Sequence, residues 1–394
     1  MSALIRLLQK PARVVVGIMS GTSLDGVDVA LTRLSGSGSA IAVELLAFHS
    51  EAYTPELREA LLRNAAAHTS NVRDLSQLNI RLAHTYAGAV RTMLADTEYS
   101  LDHVDAVGCH GQTVFHVPQP TACAGLNVTS TLQIGDPSTL ATLLGVPVVG
   151  QFRQADMALG GQGAPLVPYF DYVFLRAAQE TRGLLNLGGI ANLSVIPAGA
   201  SLNAVSAFDT GPANMVIDAL AQRLYNQPRD EGGHIAAQGT VHQPLLDALF
   251  DDPYYALPPP KSTGREKYTV AYVDALLEQA AGLPPEDVLA TATAFTAETI
   301  ARAYTDFYAP QTPLDRLIVA GGGVHNATLM RMLAERFAPV PVQTLRDLGL
   351  NPDAKEAVCF AVLAHETLNG APSSVPSATG ARRPAILGVL ALPS

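Results

Sequence analysis

From Val14 to Leu31 the chain reads VVVGIMSGTSLDGVDVAL: an apolar run, a turn of Gly, Thr, Ser and Asp, then apolar and polar positions in alternation. That pattern predicts strand, tight turn and strand over 14–33, with a further strand near 41–48. Thr54-Pro55 sets a helix start, because proline is tolerated in a first turn whose N–H groups have no intrahelical partner. Leu75, Leu78, Leu82, Tyr86, Ala89 and Met93 recur at helical spacing, so 72–95 is expected to bury one face of a long helix. AVGCHGQT (106–113) reads as a short buried strand ending in a polar loop, and STLATLLGVPVVGQF (138–152) as helix, glycine stop and strand.

The second half begins the same way. GLLNLGGIANLSVIP (183–197) is again strand, glycine-centred turn and strand. LIVAGGGVHNATLMRMLAERF (317–337) is an apolar strand, three glycines and an amphipathic helix, and PDAKEAVCFAVLAHETLNG (352–370) is a helix with Pro near its start and Gly past its end. A hairpin with a phosphate-sized turn, further strands and then helices therefore occurs twice. Two domains are expected, 1–150 and 151–394, with the boundary inside 150–182 and the C-terminal segment free to return to the first. The stretches 257–260 and 371–376 read as loops, and 119–130 and 371–376 as long insertions without an assigned role.

Composition narrows the class. The chain has 394 residues, enough for two cores, and 48% of them are hydrophobic against 15% charged. A net charge of −10 excludes a phosphate-backbone binder, which needs a basic stripe, so no nucleic-acid partner is expected. No apolar run reaches membrane-spanning length, and MSALIRLLQK lacks the long apolar core of a secretory signal, so no membrane partner is expected. Three cysteines make no disulfide framework, which with the missing signal points to a cytoplasmic protein. A homodimer is an assembly left open.

Three glycine-rich turns carry candidate phosphate chemistry. In SGTSLDG, small residues let the backbone approach an anion, consecutive N–H groups form a nest, Thr22 and Ser23 add donors, and Asp25 offers a carboxylate to Mg²⁺. In NLGGIANLS, Gly188 and Gly189 suit backbone contact with phosphate between the amides of Asn186 and Asn192. In AGGGVHN, Gly321, Gly322 and Gly323 lead into a helix N-terminus at Asn326, suited to the sugar and base of a nucleotide. An Asp-Gly hairpin, a glycine bulge and close strand–helix packing are the ordinary alternatives for the three. Neither G-x-G-x-x-G nor a P-loop motif occurs. Asp209, after an apolar strand and before Thr-Gly-Pro, is a candidate general base; a turn carboxylate is its plainer reading. His110, Gln112 and Thr113 offer donors and acceptors to sugar hydroxyls, and Arg153 and Gln162 flank a second polar stretch. His103, Cys109, His110 and His116 lack paired zinc-ligand spacing. Lys261, Arg265 and Lys267 surround Ser-Thr-Gly as a solvated run or an anion-contacting loop.

The order of the glycine sites resembles the actin-like ATPases, a superfamily that includes hexokinase. GIMSGTSLDGVDVAL, GCHGQT, LQIGDPS, ADMALGGQGAPLVP, LLNLGGIANLS, FDTGPAN, PPKSTGRE and LIVAGGGVHN together resemble the anhydro-N-acetylmuramic acid kinases from about residue 14 to the C-terminus. The resemblance implies an α/β fold of two actin-like (ribonuclease H-like) domains around a nucleotide-binding cleft. It also implies ATP and Mg²⁺ as cofactors and an anhydro-sugar as the small-molecule substrate. The implied reaction opens the 1,6-anhydro bridge with water and phosphorylates O6, a step in recycling bacterial cell-wall fragments. By position, Gly21, Thr22, Ser23, Leu24, Asp25, Gly26, Val27 and Asp28 match the first phosphate loop, Asp209 the catalytic base and Glu356 a glutamate near the reacting centre. The chain departs from the family's DxxGxxAxxG stretch by placing Gly232 before the first glycine, where Asp or Asn is usual. Alternatives are a kinase of another sugar, an actin-like ATPase without sugar, and a glycoside hydrolase using Asp209 and Glu356.

Overall fold

The computed structural model describes residues 3–21, 24–66, 68–259, 261–264, 267–349 and 351–394. They form two compact units, Met1–Phe174 with Ala354–Ser394, and Leu175–Asp353. The first unit is built on β1 (Ala12–Ser20), β2 (Gly26–Ser35), β3 (Ala42–Ala52), β4 (Ala106–Cys123), β5 (Leu126–Ile134) and β6 (Val148–Gly150). The second is built on β7 (Arg182–Leu187), β8 (Ile190–Ile196), β9 (Ser206–Pro212), β10 (Arg316–Ala320) and β11 (Val342–Thr344). A last strand, β12 (Val389–Ala391), pairs with β6 at the edge of the first sheet.

Both sheets share one order. Each opens with an antiparallel meander, β1-β2-β3 or β7-β8-β9, and then adds two strands parallel to the first, β4 and β6 or β10 and β11. Because parallel neighbours need crossovers, helices fall between these later strands. This twice-used order is the ribonuclease H-like topology of actin-like proteins, so the fold class expected from the sequence holds.

Helix ends follow local chemistry. Thr54 and Asp136 cap the Pro55–Asn64 and Pro137–Leu144 helices, each side chain accepting a backbone N–H three residues on. Gly145 and Gly370 end helices in the left-handed conformation. The Val72–Ala95 helix buries Leu78, Leu82, Tyr86, Ala89, Val90 and Met93 against the first sheet's core.

Glycine also decides how closely one helix approaches that sheet. A Cβ on Gly17 of β1 would lie 1.8 Å from the Ala357 carbonyl oxygen, and one on Gly108 of β4 2.1 Å from that of Phe360. The Lys355–Asn369 helix therefore rests on bare backbone, which fixes the height of Glu356 above β1.

The structure corrects one expectation here. The strand at 106–113 does not end in a loop: β4 continues to Cys123, turns at Ala124-Gly125, both with positive φ, and returns as β5. Pro118 and Pro120 hid this hairpin, since proline ordinarily demotes a strand; here they fall inside a register shift between Val117 and Thr121. The stretch 371–376 is a loop as far as Val375, and a buried one: Ser373, Ser374 and Val375 are buried and both serine N–H groups donate to the Ala385 carbonyl. The two units divide between Phe174 and Leu175, and Ala354–Ser394 clusters with the first unit. Among the described residues no helix is long and apolar enough to cross a membrane.

Candidate active site

In the second unit β7 and β8 join through Gly188-Gly189, with Asn186 facing Asn192 in register. The Asn214–Tyr225 helix closes on this turn: Asn214 N–H donates to the Gly188 carbonyl, Ala213 and Met215 N–H to that of Gly189, and the Asn214 amide to that of Leu187. A Cβ on Gly188 would meet nothing nearer than 3.6 Å, and one on Gly322 nothing nearer than 3.8 Å. Neither residue has a left-handed φ. Packing and backbone geometry thus leave both glycines unexplained, while the absence of a side chain keeps backbone open to a ligand. Gly321 and Gly323 differ. Gly321 has φ 85° and would clash with the Leu187 carbonyl, and Gly323 would clash with the Leu187 side chain.

Beside Gly322 lies a crevice of about 190 Å³ lined by Asn214, Ile217, Asp218, Arg229, Asp230, Gly232, His325 and Asn326, among others. The Asn326 side chain caps the Ala327–Phe337 helix by accepting the Leu329 N–H at 2.9 Å. Asp230 accepts from the N–H groups of Ile235 and Ala236 and so builds the loop, while Thr328 donates to the Gly233 carbonyl at 2.7 Å. Gly232 has φ 65°. Asn and Asp tolerate that conformation better than other side chains, which explains why Gly can replace them there. Burial first, then the Asp230 charge, pushes the Asp218 carboxyl up to about 6 against the pull of Arg229.

Asp209 sits within β9, which continues through Pro212, so the carboxylate is on a strand and not in a loop after it. One carboxylate oxygen accepts from the Asn192 amide at 3.0 Å and the other from the Thr263 N–H at 3.0 Å. Asp209 N–H donates to the Lys261 carbonyl, and the Tyr254 hydroxyl donates to the Asp209 carbonyl at 2.6 Å. The carboxylate is therefore oriented from both sides. Asn192, expected near phosphate, spends its amide on Asp209; Thr263 and Tyr254 were not foreseen, since their partner lies 54 and 45 residues away in sequence.

In the first unit the turn between β1 and β2 holds Gly21, Leu24 and Asp25; Thr22 and Ser23 lie outside the described residues. Leu24 has φ 57°, and its side chain and that of Val27 are in the hydrophobic core, so only their backbone is available to a ligand. A Cβ on Gly26 would lie 2.4 Å from the Glu51 carbonyl oxygen, so that glycine serves strand packing. The Gln112 amide donates to the Gly21 carbonyl at 2.9 Å and braces the turn. Thr113 accepts from Gln133, and Gln162 is exposed with its N–H on the Thr379 carbonyl.

His110 is buried, and its Nε2 accepts from Arg153 Nε and Nη2 at 3.1 and 2.8 Å. That contact makes Nδ1 the protonated nitrogen; burial, then the Arg153 charge, pushes the imidazole down to about 3. Arg153 is fixed further by the Gly163 carbonyl at 2.6 Å, and burial brings it down to about 10 while Glu356 opposes. Glu356 opens the Lys355–Asn369 helix, reachable by water yet densely surrounded by protein atoms. Desolvation pushes its carboxyl up; Lys355 and Arg153 oppose, and the charges of Asp28 and Asp171 add to the rise. Next to it the buried Lys355 ammonium pairs with Asp171 at 2.7 Å. Among the described residues no three His, Cys, Asp or Glu side chains converge as a metal cage.

The anhydro-N-acetylmuramic acid kinase family model matches residues 13–393. A relative so named from Salinibacter ruber is 55% identical over 395 residues, covering 100% of each chain, and one from Caldanaerobacter subterraneus is 41% identical over 396 residues, again covering 100% of each. Among solved structures, a ROK family glucokinase from Streptomyces griseus in complex with glucose and AMPPNP aligns at 14% identity and TM-score 0.37, covering 89% of this chain and 98% of that one. That last likeness adds nothing to the topology above. By the family match and the full-length relatives, this chain belongs to the anhydro-N-acetylmuramic acid kinase family.

Proposed function

We propose that the chain opens 1,6-anhydro-N-acetylmuramic acid with water and phosphorylates O6 from ATP, releasing N-acetylmuramic acid 6-phosphate and ADP in bacterial cell-wall recycling. One observation carries the residue assignment. The β7–β8–β9 meander combines a turn with backbone left open at Gly188 and, on the next strand, a carboxylate oriented by N–H donors at Asp209.

Water is a poor nucleophile at neutral pH, so a base must take its proton as its oxygen attacks C1. Asp209 performs that step. Its contacts with the Asn192 amide and the Thr263 N–H hold the carboxyl plane still. As the C1–O6 bond breaks, O6 carries the electron pair to the γ-phosphorus, and ADP leaves. Phosphoryl transfer asks a protein for position and charge neutralisation. Within the second unit, backbone at Gly188 and Gly189 supplies N–H groups to the phosphates, and Gly322 with the crevice beyond it receives the nucleoside. Arg153, held by His110 and Gly163, presents a fixed cation beside Glu356. Magnesium, when bound, neutralises phosphate charge; its usual set of one or two carboxylates plus phosphate and water suits Asp25, for which no all-protein cage is needed. In the first unit His110 braces Arg153 and Gln112 braces the turn at Gly21, and with Thr113 and Gln162 they are offered to the sugar hydroxyls.

Asp209→Asn keeps the shape and removes the base. Sugar opening and ADP release should fall together by about 10²–10⁴-fold while nucleotide still binds. If either continues at the unmodified rate, Asp209 is not the shared base.

A further inference from the structure

The described residues of the segment that follows the base, 252–259, 261–264 and 267–268, do more than connect two helices. It supplies three hydrogen bonds to Asp209: the Lys261 carbonyl takes the Asp209 N–H, the Thr263 N–H reaches one carboxylate oxygen, and the Tyr254 hydroxyl reaches the carbonyl. The segment is itself fastened around Tyr254. Asp252 accepts the Tyr254 N–H at 2.9 Å and pairs with Lys267 at 2.5 Å. Lys261 Nζ donates to the carbonyls of Tyr254 and Tyr255, each at 3.2 Å. Both ammoniums, Lys261 and Lys267, stand 4.8 Å from the centroid of the Tyr254 ring, within the range where a cation is attracted to an aromatic face. The Tyr254 side chain is buried.

We propose that Tyr254 is a positioning residue for Asp209, and that Asp252, Tyr254, Lys261, Thr263 and Lys267 together form a clasp that sets the rotation of the Asp209 carboxylate. The proposal rests on the reading of Asp209 as base. The Thr263 N–H on one carboxylate oxygen, with the Asn192 amide on the other, restrains the carboxylate's rotation. Thr263 in turn stays in place only while the chain on either side is anchored. Tyr254 provides the anchor on one side and Lys267, through Asp252 and the ring, on the other. Misplacing a reacting group by about 1 Å can cost 10²-fold in rate without weakening binding.

The test uses the full-length protein with ATP and the anhydro-sugar. Tyr254→Phe removes one hydroxyl and keeps the ring on which both ammoniums rest. It should lower kcat for sugar opening and for ADP release alike, by about 10- to 100-fold, with KM for both substrates nearly unchanged. Lys267→Met loosens the other side without touching Asp209 and should lower kcat by a smaller factor. The double variant should lose less than the two separate factors multiplied, because both act through one clasp. A role confined to folding would lower the melting temperature and leave kcat per folded molecule intact, and that result overturns the proposal. Full kcat in Tyr254→Phe, or a rise in KM at constant kcat, overturns it as well. If Tyr254→Phe does not fold, Lys267→Met decides by the same criteria. Asp209→Asn is measured alongside: activity retained there defeats the reading of the base, whereas its loss together with full activity in Tyr254→Phe defeats only the clasp.

Discussion

Gly188→Ala separates a turn built for folding from one built for a ligand. A new Cβ at 188 has 3.6 Å to its nearest neighbour, the Ile190 carbonyl oxygen, and the residue has no left-handed φ to strain. By itself the substitution should leave stability unchanged or raise it by about 0.4–1 kcal/mol, because alanine has less conformational freedom to lose on folding. With a phosphate on the turn the same methyl stands where the anion must approach. Hydrogen bonds to charged groups contribute about 1.5–3 kcal/mol each, so losing one weakens binding by about 10- to 150-fold. Thermal melting without nucleotide measures the first quantity, and calorimetric titration with a non-hydrolysable ATP analogue measures the second. The expected pair is a melting temperature at or above the unmodified protein's and a sharply raised Kd. A variant that melts normally and binds the analogue normally refutes the placement of phosphate at this turn. One that fails to fold refutes the claim that the glycine is free of structural duty.

Three further outcomes follow from the packing and charge. Gly17→Ala must push the Ala357 carbonyl from 1.8 Å to at least the 3.4 Å of ordinary contact, carrying Glu356 about 1.6 Å away from β1; kcat should fall about 10²-fold and the melting temperature should drop, as the two assays report. Lys355→Met leaves the buried Asp171 without its cation and should cost about 3–5 kcal/mol in urea unfolding, most of it recovered by adding Asp171→Leu. Asp218 has its folded value near 6 against an ordinary 3.8, so its ionisation penalises the folded state as pH rises through that window. Asp218→Asn should accordingly be neutral at about pH 4 and stabilising at about pH 7, and equal urea midpoints for variant and parent at both pH values would contradict this sign.

Local signals carried much of the architecture into the sequence. The apolar runs at 14–18 and 183–187, the caps at Thr54 and Asp136, and the glycines at 145 and 370 each act within a few residues, and each could be read where it stands. The glycine turns were legible as a group, but which glycines are required by packing was not. Gly188 and Gly321 look alike in sequence; only the Leu187 carbonyl, packed against Gly321, tells them apart. Long-range partners were invisible for the same reason. Nothing near Asp209 announces Thr263 or Tyr254, and nothing near Lys355 announces Asp171, because these contacts form only once distant segments have folded together. The β4–β5 hairpin was hidden by two prolines that the sheet accommodates in a register shift. His110 and Gln112 were recognised as polar residues at a strand end, yet their hydrogen bonds show them bracing Arg153 and Gly21.

The central claim is that one reaction both adds water to the anhydro-sugar and phosphorylates it. Its most direct test is to incubate the protein with ATP, magnesium and 1,6-anhydro-N-acetylmuramic acid in water enriched in heavy oxygen, and to follow product mass and label position at early times. The account predicts a product heavier than the substrate by one water and one phosphoryl group, with the heavy oxygen on the sugar at C1 and none in the phosphoryl group. A product that has gained a phosphoryl group without water, or heavy oxygen appearing in free phosphate while the sugar stays closed, would contradict it.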